Sequence, residues 1–255
     1  MRNLKITLQY DGSNFYGWQK QENKRTVQAE LEKAFTILSL DGEEVCVEGS
    51  GRTDRGVHAL GQVASVKWNN PMPLSKIKNV LNKLLPQDIK IKKVEIAKPD
   101  FHARFSAKKK TYRYVVKLCN PNEKLSPFKQ KYLASYPYQN VDVETMKQGS
   151  SVLVGKHNFQ AFASANTTVS NFEREIYGIQ ISKKGSLIAF EITGNGFLYN
   201  MVRIIVGTLL QVGQGKITKE QLAEILHSQD RKNAGQTMPA CGLYLKCVEY
   251  SKSQE

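Results

Sequence analysis

The chain has 255 residues, enough for one large domain or two modest ones, and its 40% hydrophobic content excludes a wholly disordered protein. Lysine and arginine number 37 against 23 acidic residues, so the formal charge is +14, with an excess in both halves. Such a protein either binds a polyanion, with nucleic acid first and an anionic membrane surface second, or is simply a basic soluble protein.

The cysteines and the apolar segments indicate in which cellular compartment the protein resides. The four cysteines are scattered and form no CxxC pair, which argues against a metal site or a disulfide framework and favours a reducing environment. The N-terminus lacks the apolar core of a signal peptide. The most apolar stretch, 198–212, is too short and too polar to span a bilayer. We therefore expect a cytoplasmic protein that binds no metal.

Hydrophobic periodicity in the first 107 residues predicts a βαββαβ order. The predicted elements are a strand over 4–10, a helix from the N-cap Thr26 to 38, strands over 44–48 and 62–68, a helix capped by Ser75 and ended by Pro86, and a strand over 89–96. This order is that of a ferredoxin-like unit.

The remainder of the chain, 108–255, repeats this plan. The predicted elements are a strand over 111–118, a helix over 141–154, a hairpin of strands over 172–182 and 186–194, an apolar helix over 198–212, a helix started by the capping box at 218–221, and a strand over 243–250. We predict an α+β fold of two ferredoxin-like lobes, 1–107 and 108–255. Their antiparallel sheets are expected to be related by a pseudo-two-fold axis, with a cleft between them.

The densest chemical signal is the glycine-rich segment 49–59. It contains one carboxylate, Asp54, flanked by Arg52 and Arg55, whose charges favour an ionised aspartate suited to a nucleophile or an electrostatic stabiliser. The alternative is a glycine-rich turn in which the aspartate caps the backbone. His58 is either a base or, more often for a lone histidine, a structural residue. The segment lacks the GxxxxGK[ST] pattern of a phosphate-binding loop.

Two further positions carry chemical information. Arg203 is the one charged residue between Glu191 and Lys216, inside the apolar helix, so it either extends to the surface or pairs with an acid, for which Asp54 is a candidate. Lysines precede a strand in which Tyr112 is predicted to share a face with Tyr114. This pattern suits RNA, although an ordinary edge strand has it too.

These motifs together resemble the tRNA pseudouridine synthase A family over nearly the whole chain. The motifs that carry the resemblance are Tyr10-Asp11-Gly12 with Gly17-Trp18-Gln19, the segment 51–59, the segment 101–107, Tyr112-Arg113-Tyr114, His157-Asn158-Phe159 with Phe162, Gly196-Phe197-Leu198, the segment 200–203 and the segment 242–245. One departure is Arg55, where the family commonly has a small residue.

The resemblance implies a cofactor-free isomerisation of uridine to pseudouridine in the anticodon arm of tRNA, at positions 38–40, by a homodimer. It implies that Asp54 is the catalytic aspartate and Arg203 its ion-pair partner. Tyr112 would pack against the target base, Arg52 would help to displace the flipped nucleotide, and Leu245 would line the base pocket. Basic residues proposed to contact RNA are Lys20, Arg25, Arg55, Lys108, Lys109 and Lys110.

The sequence is also compatible with two other functions. One is a pseudouridine synthase that acts at another tRNA position or on ribosomal RNA. The other is a structured-RNA binder without catalytic activity on the same fold, which the positive charge and Tyr112 suit equally well. Segment 51–59 and the isolated Arg203 argue against a simple binder, because RNA binding alone needs no carboxylate held among arginines.

Overall fold

The computed structural model describes residues 1–40, 42–164 and 169–251. In chain order its elements are β1 (Arg2–Tyr10), α1 (Val27–Ile37), β2 (Glu48–Gly49), β3 (His58–Trp68), α2 (Leu74–Leu84), β4 (Ile89–Ala97), β5 (Ala107–Leu118), β6 (Ala134–Tyr136), α3 (Val143–Ser150), β7 (Gly155–Asn158), β8 (Glu173–Lys184), β9 (Leu187–Gly194), α4 (Met201–Gly213), α5 (Lys219–Ser228) and β10 (Leu243–Tyr250). The fold is α+β, as predicted. Among these elements no helix has both the length and the apolar character needed to cross a bilayer.

The chain forms two compact units. The first contains Met1–Lys109 together with residues 244–251, and the second contains Lys110–Leu243. In the first unit the strand order is β4-β1-β3-β10. Strand β1 runs antiparallel to both β3 and β4, while β10 pairs with β3 in parallel, with Tyr244 opposite His58 and Leu245 opposite Ala59.

Alternation along β1 divides its side chains between the two faces of this sheet. Leu4, Ile6 and Leu8 are fully buried, and their spacing is the period-two pattern of a strand. Helix α1 packs against the sheet through an edge-to-face contact of Phe35 with Trp68, whose ring centroids lie 5.4 Å apart. The apolar face of β1 is therefore part of the core.

The opposite face of β1 is covered by the segment 98–106. The Asn3 amide donates hydrogen bonds of 2.8 Å to the carbonyls of Lys98 and Phe101. Lys5 is buried with its ammonium group 4.9 Å from the Tyr250 ring centroid and 5.9 Å from that of Phe101. These contacts attach the segment to both β1 and β10.

The second unit contains a sheet of order β5-β9-β8-β7, antiparallel throughout, with β6 added in parallel to β5. Helix α4 is buried almost all round, in keeping with its apolar sequence. Helix α5 begins with the predicted capping box, in which the Thr218 hydroxyl and the Gln221 side chain each accept a backbone N–H.

The predicted strand over 44–48 is wrong, because only Glu48 and Gly49 form a strand there. The backbone of this segment is bound by side chains of α1 instead of by a neighbouring strand. The Val45 N–H donates to the Thr36 hydroxyl at 3.3 Å, and the Val47 N–H donates to the Glu32 carboxylate at 3.2 Å. Hydrogen bonds to polar side chains of α1 thus take the place of the strand pairing that the alternating pattern predicts.

Other boundaries also differ from the sequence expectation: the helix predicted over 141–154 is shorter, as α3, and the strand predicted over 62–68 begins earlier, as β3. Helix α2 begins at Leu74 after Pro73, without a side-chain cap, so Ser75 is not the N-cap. The second lobe was expected to run to residue 255, whereas residues 244–251 group with the first unit. The reason is the parallel pairing of β10 with β3, which periodicity along one segment does not reveal.

Candidate active site

Residues 50–57 form a loop that enters β3 and contains Asp54. Its first residues are bound to β3 itself. The Ser50 N–H donates to the Val63 carbonyl at 2.7 Å, and the Ser50 hydroxyl donates to the Gln62 side chain at 2.6 Å. The Gln62 amide in turn donates to the Gly51 carbonyl at 3.0 Å. Gln62 is fully buried, so this polar side chain organises the loop from inside the core.

Thr53, the residue before Asp54, is held by two independent contacts. Its hydroxyl lies 2.7 Å from the hydroxyl of Tyr10, and its carbonyl accepts the Trp18 N–H at 3.0 Å. Burial raises the pKa of Tyr10 to about 12, so its phenol stays protonated at neutral pH. The backbone next to Asp54 is therefore fixed by β1, through Tyr10, and by the segment 11–18, through Trp18.

Two glycines allow the segment 11–18 to approach this loop. A Cβ on Gly12 would lie 2.0 Å from the Val57 carbonyl oxygen. Gly17 has a φ of +97°, and a Cβ there would lie 2.6 Å from the Thr53 carbonyl oxygen. Both positions need glycine for close backbone approach, and Gly17 needs it for its dihedral as well.

His58 has the environment of a structural residue. Its side chain is 2% exposed and stacks on Tyr244 with ring centroids 4.8 Å apart. Its Nδ1 accepts the Gly12 N–H at 3.0 Å and lies 3.2 Å from an Asp11 carboxylate oxygen. These contacts favour the structural interpretation of His58 over a role as catalytic base.

Asp54 itself is half-buried, and its carbonyl accepts the Val57 N–H at 3.1 Å. The flanking Arg52 and Arg55 are both exposed. Within the described ranges neither arginine forms an ion pair, so their sequence position beside Asp54 does not amount to salt bridges with its carboxylate. The Arg55 guanidinium lies instead 4.4 Å from the ring centroid of Tyr16.

Strand β5 places Tyr112 and Tyr114 on one face, as predicted, and both rings are buried, Tyr114 more completely than Tyr112. Tyr114 is fully buried, and its hydroxyl donates to the Pro239 carbonyl at 2.6 Å. Burial raises the pKa of Tyr114 far above its ordinary value. Tyr112 is 8% exposed and meets Phe197 edge to face at 5.2 Å. Tyr114 therefore belongs to the core.

Arg203 lies in the first turn of α4 and is held by acceptors within its own unit. Its Nε donates to the Met238 carbonyl at 2.6 Å, and its Nη1 donates to the Asn200 side chain at 2.5 Å. Asn200, the helix N-cap, has a left-handed φ of 61°. The guanidinium is thus partly buried and hydrogen-bonded, which does not fit simple extension into solvent. Asp54 belongs to the other unit, and its pairing with Arg203 stays a prediction.

Leu245 is fully buried in β10. It pairs with Ala59, which lies two residues after the end of the Asp54 loop.

The proposed RNA contacts differ from one another in exposure. Lys108 and Lys109 are exposed at the start of β5, whereas Lys110 is half-buried.

Two other proposed RNA contacts are engaged with carboxylates of the first unit. Arg25 forms a bidentate pair with Asp88 at 2.7 and 2.9 Å and also contacts Glu30 at 3.2 Å. Lys20 lies 3.3 Å from a Glu32 carboxylate oxygen. Their charges are therefore largely balanced within the protein.

Sequence reasoning missed the residues that support the loop, namely Tyr10, Gly12, Gly17, Thr53 and Gln62. All except Gln62 stand in motifs that carry the family resemblance, but no role could be read from the pattern. The sequence feature that could have indicated this support is the presence of two glycines, Gly12 and Gly17, in the segment 11–18. The described residues also contain no cluster of three or more histidine, cysteine, aspartate or glutamate side chains able to hold a metal ion.

The sequence of the chain is similar to that of known proteins along most of its length. A family model described as tRNA pseudouridine synthase matches residues 6–106 and 150–251, which include Asp54, Arg203 and Leu245. The chain belongs to the tRNA pseudouridine synthase family. Individual relatives align with this chain over nearly its entire length.

Three relatives show how extensive the similarity is. Each is named tRNA pseudouridine synthase A. The chain is 45% identical to that of Caldicellulosiruptor bescii over 98% of its own length and 100% of the relative. It is 44% identical to that of Acetivibrio thermocellus over 98% of its own length and 100% of the relative. It is also 44% identical to that of Bacillus subtilis over 97% and 98%, respectively.

Proposed function

We propose that this protein isomerises uridine to pseudouridine in tRNA, with Asp54 as the catalytic residue and the anticodon arm, positions 38–40, as the target. The observation that carries the proposal is the support of Asp54: a half-buried carboxylate follows a residue held by both Tyr10 and Trp18. Relatives named tRNA pseudouridine synthase A, at about 45% identity over the full length, support the reaction class.

The reaction breaks the bond between N1 of uracil and C1′ of the ribose and forms a bond between C5 and C1′. A proton leaves C5, and N1 gains one, so the product is an isomer and no oxidant or energy source is consumed. Asp54 has three possible roles: attack on C1′, attack on C6 of the base, or removal of a proton from C2′. Each requires an ionised carboxylate in a fixed position, which the contacts around Thr53 favour.

The target base must leave its stack before the reaction, at a cost of a few kcal/mol. In our proposal Tyr112 packs against the extruded base, and such stacking contributes about 1–3 kcal/mol. Arg52, exposed in the Asp54 loop, helps to displace the nucleotide, while Leu245 lines the base pocket. Arg203 provides the counter-charge for Asp54, and the enzyme acts in the cytoplasm as a homodimer.

Removal of the Asp54 carboxylate tests the proposed chemistry. We expect Asp54→Asn and Asp54→Ala to lower pseudouridine formation by at least about a thousandfold while tRNA binding largely survives. The measurement is carbodiimide-dependent primer extension on a tRNA transcript. Asp100→Asn, which removes an exposed carboxylate from the same unit, is the matched control and should retain activity. Appreciable turnover by Asp54→Ala contradicts the assignment.

Mapping of pseudouridine in total RNA from cells that lack the protein tests the target. Loss confined to positions 38–40 of tRNAs supports the anticodon arm. Loss at another tRNA position or in ribosomal RNA identifies a synthase with a different target. An unchanged map, together with tight tRNA binding in vitro, identifies an RNA binder without this activity.

A further inference from the structure

Tyr16, Lys24 and Arg55 form an exposed cluster beside the Asp54 loop, which we call the Tyr16 cluster. The Arg55 guanidinium lies 4.4 Å from the ring centroid of Tyr16, and the Lys24 ammonium lies 4.8 Å from it. Both basic side chains are exposed, and Tyr16 is 38% exposed. One aromatic ring thus gathers two positive charges at the surface.

The backbone that carries this cluster is held by hydrogen bonds. The Tyr16 N–H donates to the Arg25 carbonyl at 2.9 Å, and the Gln21 amide donates to the Tyr16 carbonyl at 3.1 Å. The Gly56 N–H donates to the Phe15 carbonyl at 3.4 Å, which joins the residue after Arg55 to the residue before Tyr16. The cluster therefore has a defined position relative to the Asp54 loop.

The Tyr16 cluster differs from the neighbouring basic residues in its contacts with carboxylates. In the part of the chain that the structure describes, no carboxylate lies within ion-pair distance of Lys24 or Arg55. Lys20 and Arg25, a few residues away, both contact carboxylates. Two like charges held on one ring without a counter-ion repel each other, and a bound anion relieves that repulsion.

We propose that the Tyr16 cluster binds phosphate groups of the tRNA backbone next to the modified nucleotide. Arg55 donates in bidentate fashion to phosphate oxygens, and Lys24 acts as a point charge. Tyr16 is a positioning residue, because its ring holds both cations in place. Such contacts set the register of the RNA without reading its sequence. This inference rests on the proposed function, since it names how the same substrate is held.

Binding of a tRNA transcript to the full-length protein tests the proposal. We expect Arg55→Gln and Lys24→Gln each to raise the Kd roughly threefold to tenfold and to reduce the slope of log Kd against log salt by about 0.7–0.9. Lys76→Gln in α2 removes one exposed charge from the same unit and is the matched control. It should leave both quantities near those of the parent protein.

Variants of the ring separate positioning from charge. Tyr16→Leu keeps every charge but removes the surface that holds them, so we expect it to raise the Kd by a similar factor. Tyr16→Phe keeps the ring and should restore binding. Circular dichroism and urea titration of each variant establish that it is folded. Because Arg55 and Lys24 are exposed, we expect their variants to fold, so the proposal can be tested even if Tyr16→Leu unfolds.

The outcomes distinguish this inference from the proposed function. If Arg55→Gln and Lys24→Gln match Lys76→Gln in Kd and salt slope, the phosphate site is overturned. If Tyr16→Leu binds as the parent does, the positioning role of the ring is overturned. If the parent protein binds tRNA but forms no pseudouridine, the proposed function fails, while the binding comparison still decides whether the cluster contacts RNA.

Discussion

At the scale of single residues, the position of Asp54 depends on polar groups that lie inside the core. The hydroxyl of Tyr10 lies between Thr53 and Gln62, at 2.7 and 3.4 Å, and Tyr10 is only 4% exposed. A buried hydroxyl that loses its partner is costly, because water cannot replace the bond. Tyr10 therefore connects the stability of the core to the placement of the carboxylate.

We expect Tyr10→Phe to lower the free energy of unfolding by about 1–2 kcal/mol, since Thr53 then lacks its hydroxyl partner. Pseudouridine formation should fall as well, because the residue before Asp54 is held by one contact fewer. Urea denaturation and turnover measure the two effects. Tyr138→Phe, at an exposed tyrosine, is the control and should change stability by less than about 0.5 kcal/mol.

The raised pKa of Tyr10 also predicts a dependence on pH. Burial holds this pKa at about 12 in the folded protein, whereas an unfolded chain releases the proton near pH 10. Between these values the unfolded state binds fewer protons, so stability falls as pH rises. The stability advantage of the parent over Tyr10→Phe should therefore be constant below about pH 10 and shrink towards pH 12. A constant difference across this range contradicts the burial of an intact phenol.

At the scale of elements, the Asp54 loop is supported by close backbone approach of the segment 11–18. The sequence could predict helix α1 and its N-cap Thr26, because capping and a 3.6-residue period are local signals. It could not predict that 44–47 would be bound by Thr36 and Glu32 of α1, since that depends on tertiary contacts. The same limit concealed Gln62, a buried polar residue inside an apolar strand.

Gly17→Ala tests the close approach. We expect it to destabilise the protein by more than about 3 kcal/mol and to reduce activity, because a Cβ collides with the Thr53 carbonyl and the backbone has a positive φ. Gly185→Ala in the β8–β9 turn shares the positive φ, at +58°, but meets no atom within 4 Å. It should cost only about 1–2 kcal/mol in thermal or urea unfolding. Equal costs for the two variants would contradict the steric argument.

At the scale of the whole molecule, the charge of +14 suits a polyanionic substrate, and the described contacts show which basic residues are balanced internally. The motifs identified the family because each is short and local. The balance of charge was not predictable, since Arg25 meets Asp88, 63 residues further along the chain. Composition counts charges, but only the fold determines which of them face a carboxylate.

We expect the affinity for tRNA to fall steeply as salt rises, because phosphate contacts release counter-ions. A plot of log Kd against log salt between 50 and 200 mM should have a slope magnitude of about 4 or more, equivalent to five or six phosphates. Filter binding with a tRNA transcript measures it. A nearly flat dependence would show that the charge of the protein contributes little to recognition.

The pairing of β10 with β3 has a consequence for protein synthesis. Strand β10 supplies Tyr244 and Leu245 to the beginning of β3, immediately after the Asp54 loop, and Tyr250 donates a hydrogen bond to the Ala103 carbonyl. A ribosome makes these residues only after the whole of the second unit, Lys110–Leu243. The first unit therefore waits for this late strand before its sheet is complete, and a nascent chain interrupted before residue 243 carries Asp54 without that strand.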